Sequence, residues 1–227
     1  MAVVLSGGCN LNPQKDSNVN PEESRRIALS ASALKPGDTF TFGQYEQDND
    51  TENGPEPVEW QVLAVENGRL LLISRYALDA KAYNEPFLFA TWQRSTLRKW
   101  LNGDFYDTAF SPAEKGIIAE VKNDNPMNPS AGTRGGGATK DRIFLLNIDE
   151  AARYFPDDEA RQCEATEYTK ANGAYISDNG NSWWWLRSPG RSGSAAAIVL
   201  DVGYVTHLGY AVNDTFNTVR PAFWLEL

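Results

Sequence analysis

Trp183-Trp184-Trp185-Leu186-Arg187-Ser188-Pro189-Gly190 opens a stretch that closes on Val219-Arg220-Pro221-Ala222-Phe223-Trp224-Leu225. Successive side chains of a strand point to opposite faces, so three adjacent indoles cannot share one. At least one belongs in a core, and another meets a second layer or a groove. Arg187 precedes a Ser-Pro-Gly turn signal, and Arg220 precedes a proline that keeps it extended. A guanidinium set among Trp and Phe stacks on the rings and bonds backbone carbonyls or a carboxylate, so both arginines read as framework.

The segment between these ends is compositionally odd. Arg191 to Arg220 contains no Lys, Glu, Gln, Met or Trp, although these types supply 38 of the 227 residues. They are the types that changes in the first two bases of an Asn codon cannot reach. Val199, Gly203, Val205, Gly209, Val212 and Val219 read as an alternating framework. Between them lie Ile198, Leu200, Asp201, Tyr204, Thr206, His207, Tyr210, Asn213, Asp214, Thr215, Phe216 and Asn217, the candidate ligand-binding residues. Tyr, His, Asn and Asp give large amphipathic contacts at small entropic cost, the composition of adaptable binding surfaces. Gly203 and Gly209 read as tight turns that, with the loop 213–217, build one face, with Tyr204, His207, Tyr210 and Asn213 its foremost contacts. The plainer alternative makes the segment two ordinary hairpins with tyrosines at the edge.

Working outward from this stretch, Asp38 to Gly43 alternates as a half-buried strand does. Asp48 to Gly54 offers carboxylates at alternate positions, but glycine and glutamate do not fall where an EF-hand loop needs them, and a polar hairpin loop is the better reading. Val58–Ala64 and Arg69–Ser74 flank Asn67-Gly68, a type I′ hairpin signal. Leu97, Trp100 and Leu101 fall at helical spacing behind a Ser95 cap, with Gly103 as the stop and Trp100 in the core. Ser111-Pro112-Ala113-Glu114 and Asn147-Ile148-Asp149-Glu150 have capping-box spacing. Residues 123–140 read as a mobile surface loop, because no Lys-Ser/Thr follows Gly135-Gly136-Gly137 as a phosphate loop requires. Residues 142–146 read as a strand and 164–172 as a short helix stopped by Gly173. Short helices between antiparallel hairpins make an α+β chain.

Gly37-Asp38-Thr39-Phe40-Thr41-Phe42-Gly43-Gln44-Tyr45, Leu97-Arg98-Lys99-Trp100-Leu101-Asn102-Gly103 and the two ends of the C-terminal stretch together resemble a bacterial domain-of-unknown-function family. That family carries G-D-x-[VF]-x-F-G-x-Y, L-R-x-W-L-N-G and W-W-L-R-S-P-G…V-R-P-A-[FL]-W in this order. It is in turn similar to the C-type-lectin-like and formylglycine-generating-enzyme-like superfamily. The resemblance implies a C-type-lectin-like fold closed by an arginine-bearing C-terminal strand. It also implies a relation to variable proteins of diversity-generating retroelements, which mutate Asn codons of that segment while keeping the framework.

The length and a 41% hydrophobic content suffice for one buried core, assigned to 37–227, behind a polar tether over 1–36. The start Leu5-Ser6-Gly7-Gly8-Cys9 resembles the end of a lipoprotein signal with Leu one place early; it reads either as a lipid-anchor remnant at Cys9 or as an ordinary terminus. A net charge of −9 with scattered cations argues against nucleic-acid binding. No apolar run is long enough for a membrane helix, which leaves membrane attachment to a lipid anchor. A single histidine, His207, excludes a two-histidine metal site and a histidine-based triad, and Cys163 without a neighbour excludes paired-thiol chemistry. The expectation is a non-enzymatic, receptor- or adhesin-like module at the cell surface, taking a protein or carbohydrate ligand and no cofactor or metal. The alternatives are an enzyme with a carboxylate-based site and a purely structural surface domain.

Overall fold

The computed structural model of the chain describes residues 20–227. Helix α1 (Pro21–Ala31) comes first and is followed by strands β1 (Thr39–Tyr45), β2 (Glu56–Glu66), β3 (Arg69–Ser74) and β4 (Asp79–Ala80). A helical region follows: α2 (Thr96–Trp100), a π-turn over Leu101–Phe105, α3 (Tyr106–Ala109) and α4 (Pro112–Lys115). Next come β5 (Val121–Asn123), β6 (Thr139–Asp141), α5 (Ile148–Tyr154), α6 (Asp158–Arg161) and α7 (Glu167–Ala171). The C-terminal stretch supplies β7 (Trp184–Pro189), β8 (Ala195–Val199), β9 (Val205–Ala211), β10 (Thr218–Val219) and β11 (Ala222–Glu226). The mostly antiparallel strands and short helices make an α+β fold.

Two sheets share the core, ordered β1-β2-β3-β11 and β4-β10-β7-β8-β9, with a separate β5-β6 pair. The chain passes from one to the other at Arg220-Pro221, between β10 and β11. Asn67 and Gly68 both hold positive φ, 52° and 73°, the geometry of the type I′ turn joining β2 to β3. β3 is buried along nearly its whole length because Leu70 to Ile73 pack into the core from both faces of the strand, and β11 lays Phe223 edge-on to Trp60 at 4.7 Å. β7 is buried at every position, as a strand covered on both faces must be.

The indole triplet divides at the start of β7, a strand covered on both faces. Trp184 and Trp185 are fully buried, donating Nε1 to Arg161 O at 3.1 Å and Lys81 O at 2.8 Å, while Trp183 is only half-buried. Arg187 donates to both carboxylate oxygens of Glu150, to Leu145 O at 2.7 Å, and lies over Phe144. Arg220 sits 5.2 Å from the ring centres of both Phe155 and Trp184 and donates to Ser74 O at 2.9 Å. Each guanidinium therefore crosslinks backbone that would otherwise be unpaired in the core.

Several local expectations are corrected. The part of the tether after residue 19 is helix α1: Asn20 caps it, Ser24 donates to Ala113 O at 2.7 Å, and Ala31 is buried. Residues 1–19, with Cys9 and the anchor reading, lie outside the described residues. Gly103 does not stop its helix, since the π-turn absorbs it and the chain stays helical through Ala109. Trp100 is half-buried, with Lys81 Nζ 4.8 Å from its ring centre. The strand over 142–146 reduces to a single bridge from Phe144 to Ala222 in otherwise irregular, mostly buried chain. The expected helix over 164–172 is confined to α7, capped by Thr166. Residues 123–140 do not stand free: Asn128, 1% exposed, donates to Pro189 O at 2.8 Å and His207 O at 2.7 Å.

Candidate functional site

Four aromatic rings from separate parts of the chain meet at the surface beside β7 and β9. Tyr175 lies 4.5 Å from Trp183, which lies 5.8 Å from Tyr210 and 6.0 Å from Phe216; Tyr210 and Phe216 are 5.2 Å apart. Backbone bonds hold the segments in place. Tyr175 N donates to Phe216 O at 2.9 Å, and Thr218 N donates to Trp183 O at 2.8 Å. Tyr210 is carried in by its pairing with Ala196. The rings stay partly in water, with Tyr175 38% and Tyr210 37% exposed. Asp201 joins them from the β8–β9 turn, accepting Trp183 Nε1 on Oδ1 at 2.8 Å.

On the other side of Tyr210, Phe87, Arg191 and Leu208 line an open groove of about 450 Å³. Phe87, Leu88, Phe89 and Leu208 are 61%, 64%, 67% and 62% exposed, an unusual concentration of large apolar side chains in water. Tyr210 thus links an aromatic cluster to an apolar groove.

The structure distributes the twelve candidate residues unevenly. Ile198 and Asn217 are buried and cannot touch a ligand. Ile198 is covered because both faces of β8 are packed over, and its side chain belongs to the hydrophobic core. Asn217 lies beside β4, its backbone oxygen accepting Lys81 N at 3.3 Å while its amide finds no partner among the described residues. The other ten reach the surface, but in separate settings. Asp201, Tyr210 and Phe216 belong to the aromatic cluster. His207 is half-buried, with Nδ1 2.7 Å from Ser130 Oγ. Thr215 lines a small hollow with Lys81 and Trp100. Leu200, Thr206 and Asp214 are half-exposed, and Tyr204 and Asn213 are open to solvent. Of the framework valines, Val199, Val212 and Val219 are fully covered and Val205 is partly covered.

The two glycines differ in role. Gly203, φ 83°, forms the expected turn, closed by Leu200 N to Tyr204 O at 2.9 Å. Gly209, φ 67°, lies inside β9 at a register shift, where a Cβ would come within 2.1 Å of Ala196 O. It is a bulge that re-aims Tyr210, not a turn.

Sequence reasoning missed Tyr175, Phe87 and Phe89. An isolated tyrosine beyond Gly173 carries no periodic signal, and the Phe-Leu-Phe run reads as core until the fold leaves it outside. The triplet pointed to one indole at a second layer or groove without saying which; with both faces of β7 covered, it is Trp183, just before the strand, that stays partly exposed.

The acidic hairpin loop between β1 and β2 brings Glu46, Asp48 and Glu56 to within 4.8 Å of one another. These carboxylates largely serve the loop itself: Asp48 accepts Asp50 N at 2.8 Å and Asn53 Nδ2 at 2.9 Å, and Glu56 accepts Gln47 N at 2.7 Å. Cys163 is buried, and burial pushes its thiol up, the reverse of a reactive cysteine. Among the described residues, no helix is long and apolar enough to cross a membrane.

Fold and surface together define an α+β, mainly antiparallel domain displaying an aromatic cluster built from its C-terminal stretch and Tyr175. The chain belongs to the DUF6273 family, a domain of unknown function, whose model matches residues 67–227. The match takes in the 97–103 motif and both ends of the C-terminal stretch and leaves 37–45 outside it. No curated protein and no solved structure matches the chain.

Proposed function

We propose that this chain is a non-enzymatic ligand-binding module of the cell surface, built on a C-type-lectin-like scaffold, with its C-terminal stretch as the display segment. The observation that carries this reading is the band centred on Tyr210, where half-exposed rings on one side continue into an exposed apolar groove on the other. Exposed patches of this kind mark interaction sites more often than idle surface. The band needs no catalytic group, and its aromatic anchors are held by backbone bonds, which lowers the ordering cost of binding.

Diversification by a retroelement is consistent with ten of the twelve interspersed positions reaching the surface while Val199 and Val212 stay buried. A copy of the Trp183–Leu227 coding segment with Asn codons at those positions, beside a reverse transcriptase in the source genome, is the expected finding; its absence removes that part of the reading.

The binding reading is tested by probing arrays of extracellular proteins and of glycans with the full chain. Binding that falls at least about tenfold in Tyr210→Ser, in a variant that stays folded, is the expected result. Ligands bound equally by wild type, Tyr210→Ser and Phe87→Ser would place the site elsewhere.

A further inference from the structure

The geometry points to a saccharide subsite in the hollow between Tyr175 and Asp201, where a sugar ring stacks on Tyr175 and its hydroxyls bond the Asn179 amide and the Asp201 carboxylate. This rests on the ligand-binding reading above and names the ligand class. The hollow measures about 430 Å³ and is lined by Tyr175, Ile176, Ser177, Asp178, Asn179 and Asp201, a size suited to a small molecule.

Two of its polar groups have their free atoms fixed by bonds behind them. Asp201 Oδ1 is taken by Trp183 Nε1, which leaves Oδ2 as an open acceptor. Asn179 Oδ1 accepts Asn181 N at 3.0 Å as well as the Ser177 hydroxyl. A backbone N–H can only donate, so the amide cannot be flipped, and its Nδ2 remains an open donor with no partner among the described residues. Asp178, exposed on the same rim, adds a second carboxylate.

A sugar hydroxyl both donates and accepts, so neighbouring hydroxyls satisfy an acceptor and a donor placed side by side. The C–H face of a sugar ring is apolar and packs on an aromatic ring as other apolar groups do. A cationic ligand fits less well. An ammonium has donors only and would face the Asn179 N–H unpaired. The rings pack on one another at 4.5–6.4 Å as a one-sided ledge, whereas a cation cage needs faces opposed across a gap.

The test is titration of the full chain with neutral oligosaccharides based on glucose, galactose, mannose or N-acetylglucosamine, at up to about 5 mM, with and without EDTA. At least one is expected to bind, equally well in EDTA, since the contacts are made by side chains. Tyr175→Ala and Asn179→Asp should each weaken it at least about tenfold while near-ultraviolet circular dichroism stays unchanged. Asn179→Asp keeps the shape and the bond from Asn181 N but turns the open donor into an acceptor. The proposal is overturned if no oligosaccharide binds the wild type, if EDTA abolishes binding, or if both variants bind as wild type does. It is also overturned if a lysine-rich peptide occupies the hollow in preference to every saccharide. Protein binding that depends on Tyr210 but not on Tyr175 or Asn179, without saccharide binding, sinks this proposal and leaves the general reading standing.

Discussion

Arg220 shows how one side chain ties the two sheets together. Its guanidinium lies between Phe155 and Trp184 and donates to Ser74 O on β3, while its backbone follows β10. Truncation opens a cavity between the rings and leaves a buried carbonyl unpaired. Arg220→Ala and Trp184→Ala should each cost on the order of 3 kcal/mol in denaturant unfolding. Tyr204→Ser, at a residue 57% exposed, should change stability by less than about 1 kcal/mol. The reverse ranking would undo the division between framework and display. Asp214 offers a test with a definite sign. Burial pushes its carboxyl above the usual range, against the opposing bonds from Phe216 N and Asn217 N. A folded-state value above the unfolded one gives stability that is full below the unfolded pKa and lost as pH rises through the folded value. Asp214→Asn, which keeps an acceptor for Phe216 N, should therefore raise the melting temperature at pH 7. That gain should vanish by about pH 3, where the acid is neutral in both states.

At the scale of elements, the parts that local chemistry specifies were legible. Asn67-Gly68 demands a tight hairpin wherever it sits between apolar runs, and the Ser111 and Asn147 capping boxes both form. Helix α1, the π-turn through Gly103 and the anchoring of residues 123–140 were not. Their deciding contacts, Ser24 to Ala113, Phe105 in the core and Asn128 to Pro189 and His207, join residues far apart in the chain. The Gly203 turn combines both kinds of constraint. Its positive φ is local, but a Cβ there would also come within 1.6 Å of Asp158 O on α6, and Arg161 Nε donates to Gly203 O at 2.9 Å. Gly203→Ala should cost about 2 kcal/mol or more and loosen Asp201, seen as faster amide exchange across Leu200–Tyr204. Asn128→Ala should speed exchange through residues 123–140 while the β2–β3 hairpin stays protected. Uniform loosening would mean that Asn128 serves the whole fold instead of this loop.

Across the whole molecule, β11 completes the first sheet and β10 the second, so the last ten residues close both. Removing Ala222–Leu227 deletes the strand beside β3 together with Phe223 from the aromatic core. The shortened chain should lose its cooperative thermal transition; retention of one would show that the sheets are stable separately. The sequence by itself determined the α+β class, the hairpin and capped helices, the framework role of Arg187 and Arg220, and that the three tryptophans could not share one face. These follow from strand period, turn chemistry and the cost of burying unpaired polar groups, which act over a few residues. Only the tertiary structure decided which display residues share a surface. Tyr175 reaches Trp183 and Phe216 through long-range backbone bonds, the bulge at Gly209 re-aims Tyr210, and core packing covers Ile198 while the fold buries Asn217. No period in the chain encodes which strand lies beside which; that choice is made by packing, and the aromatic cluster exists because of it.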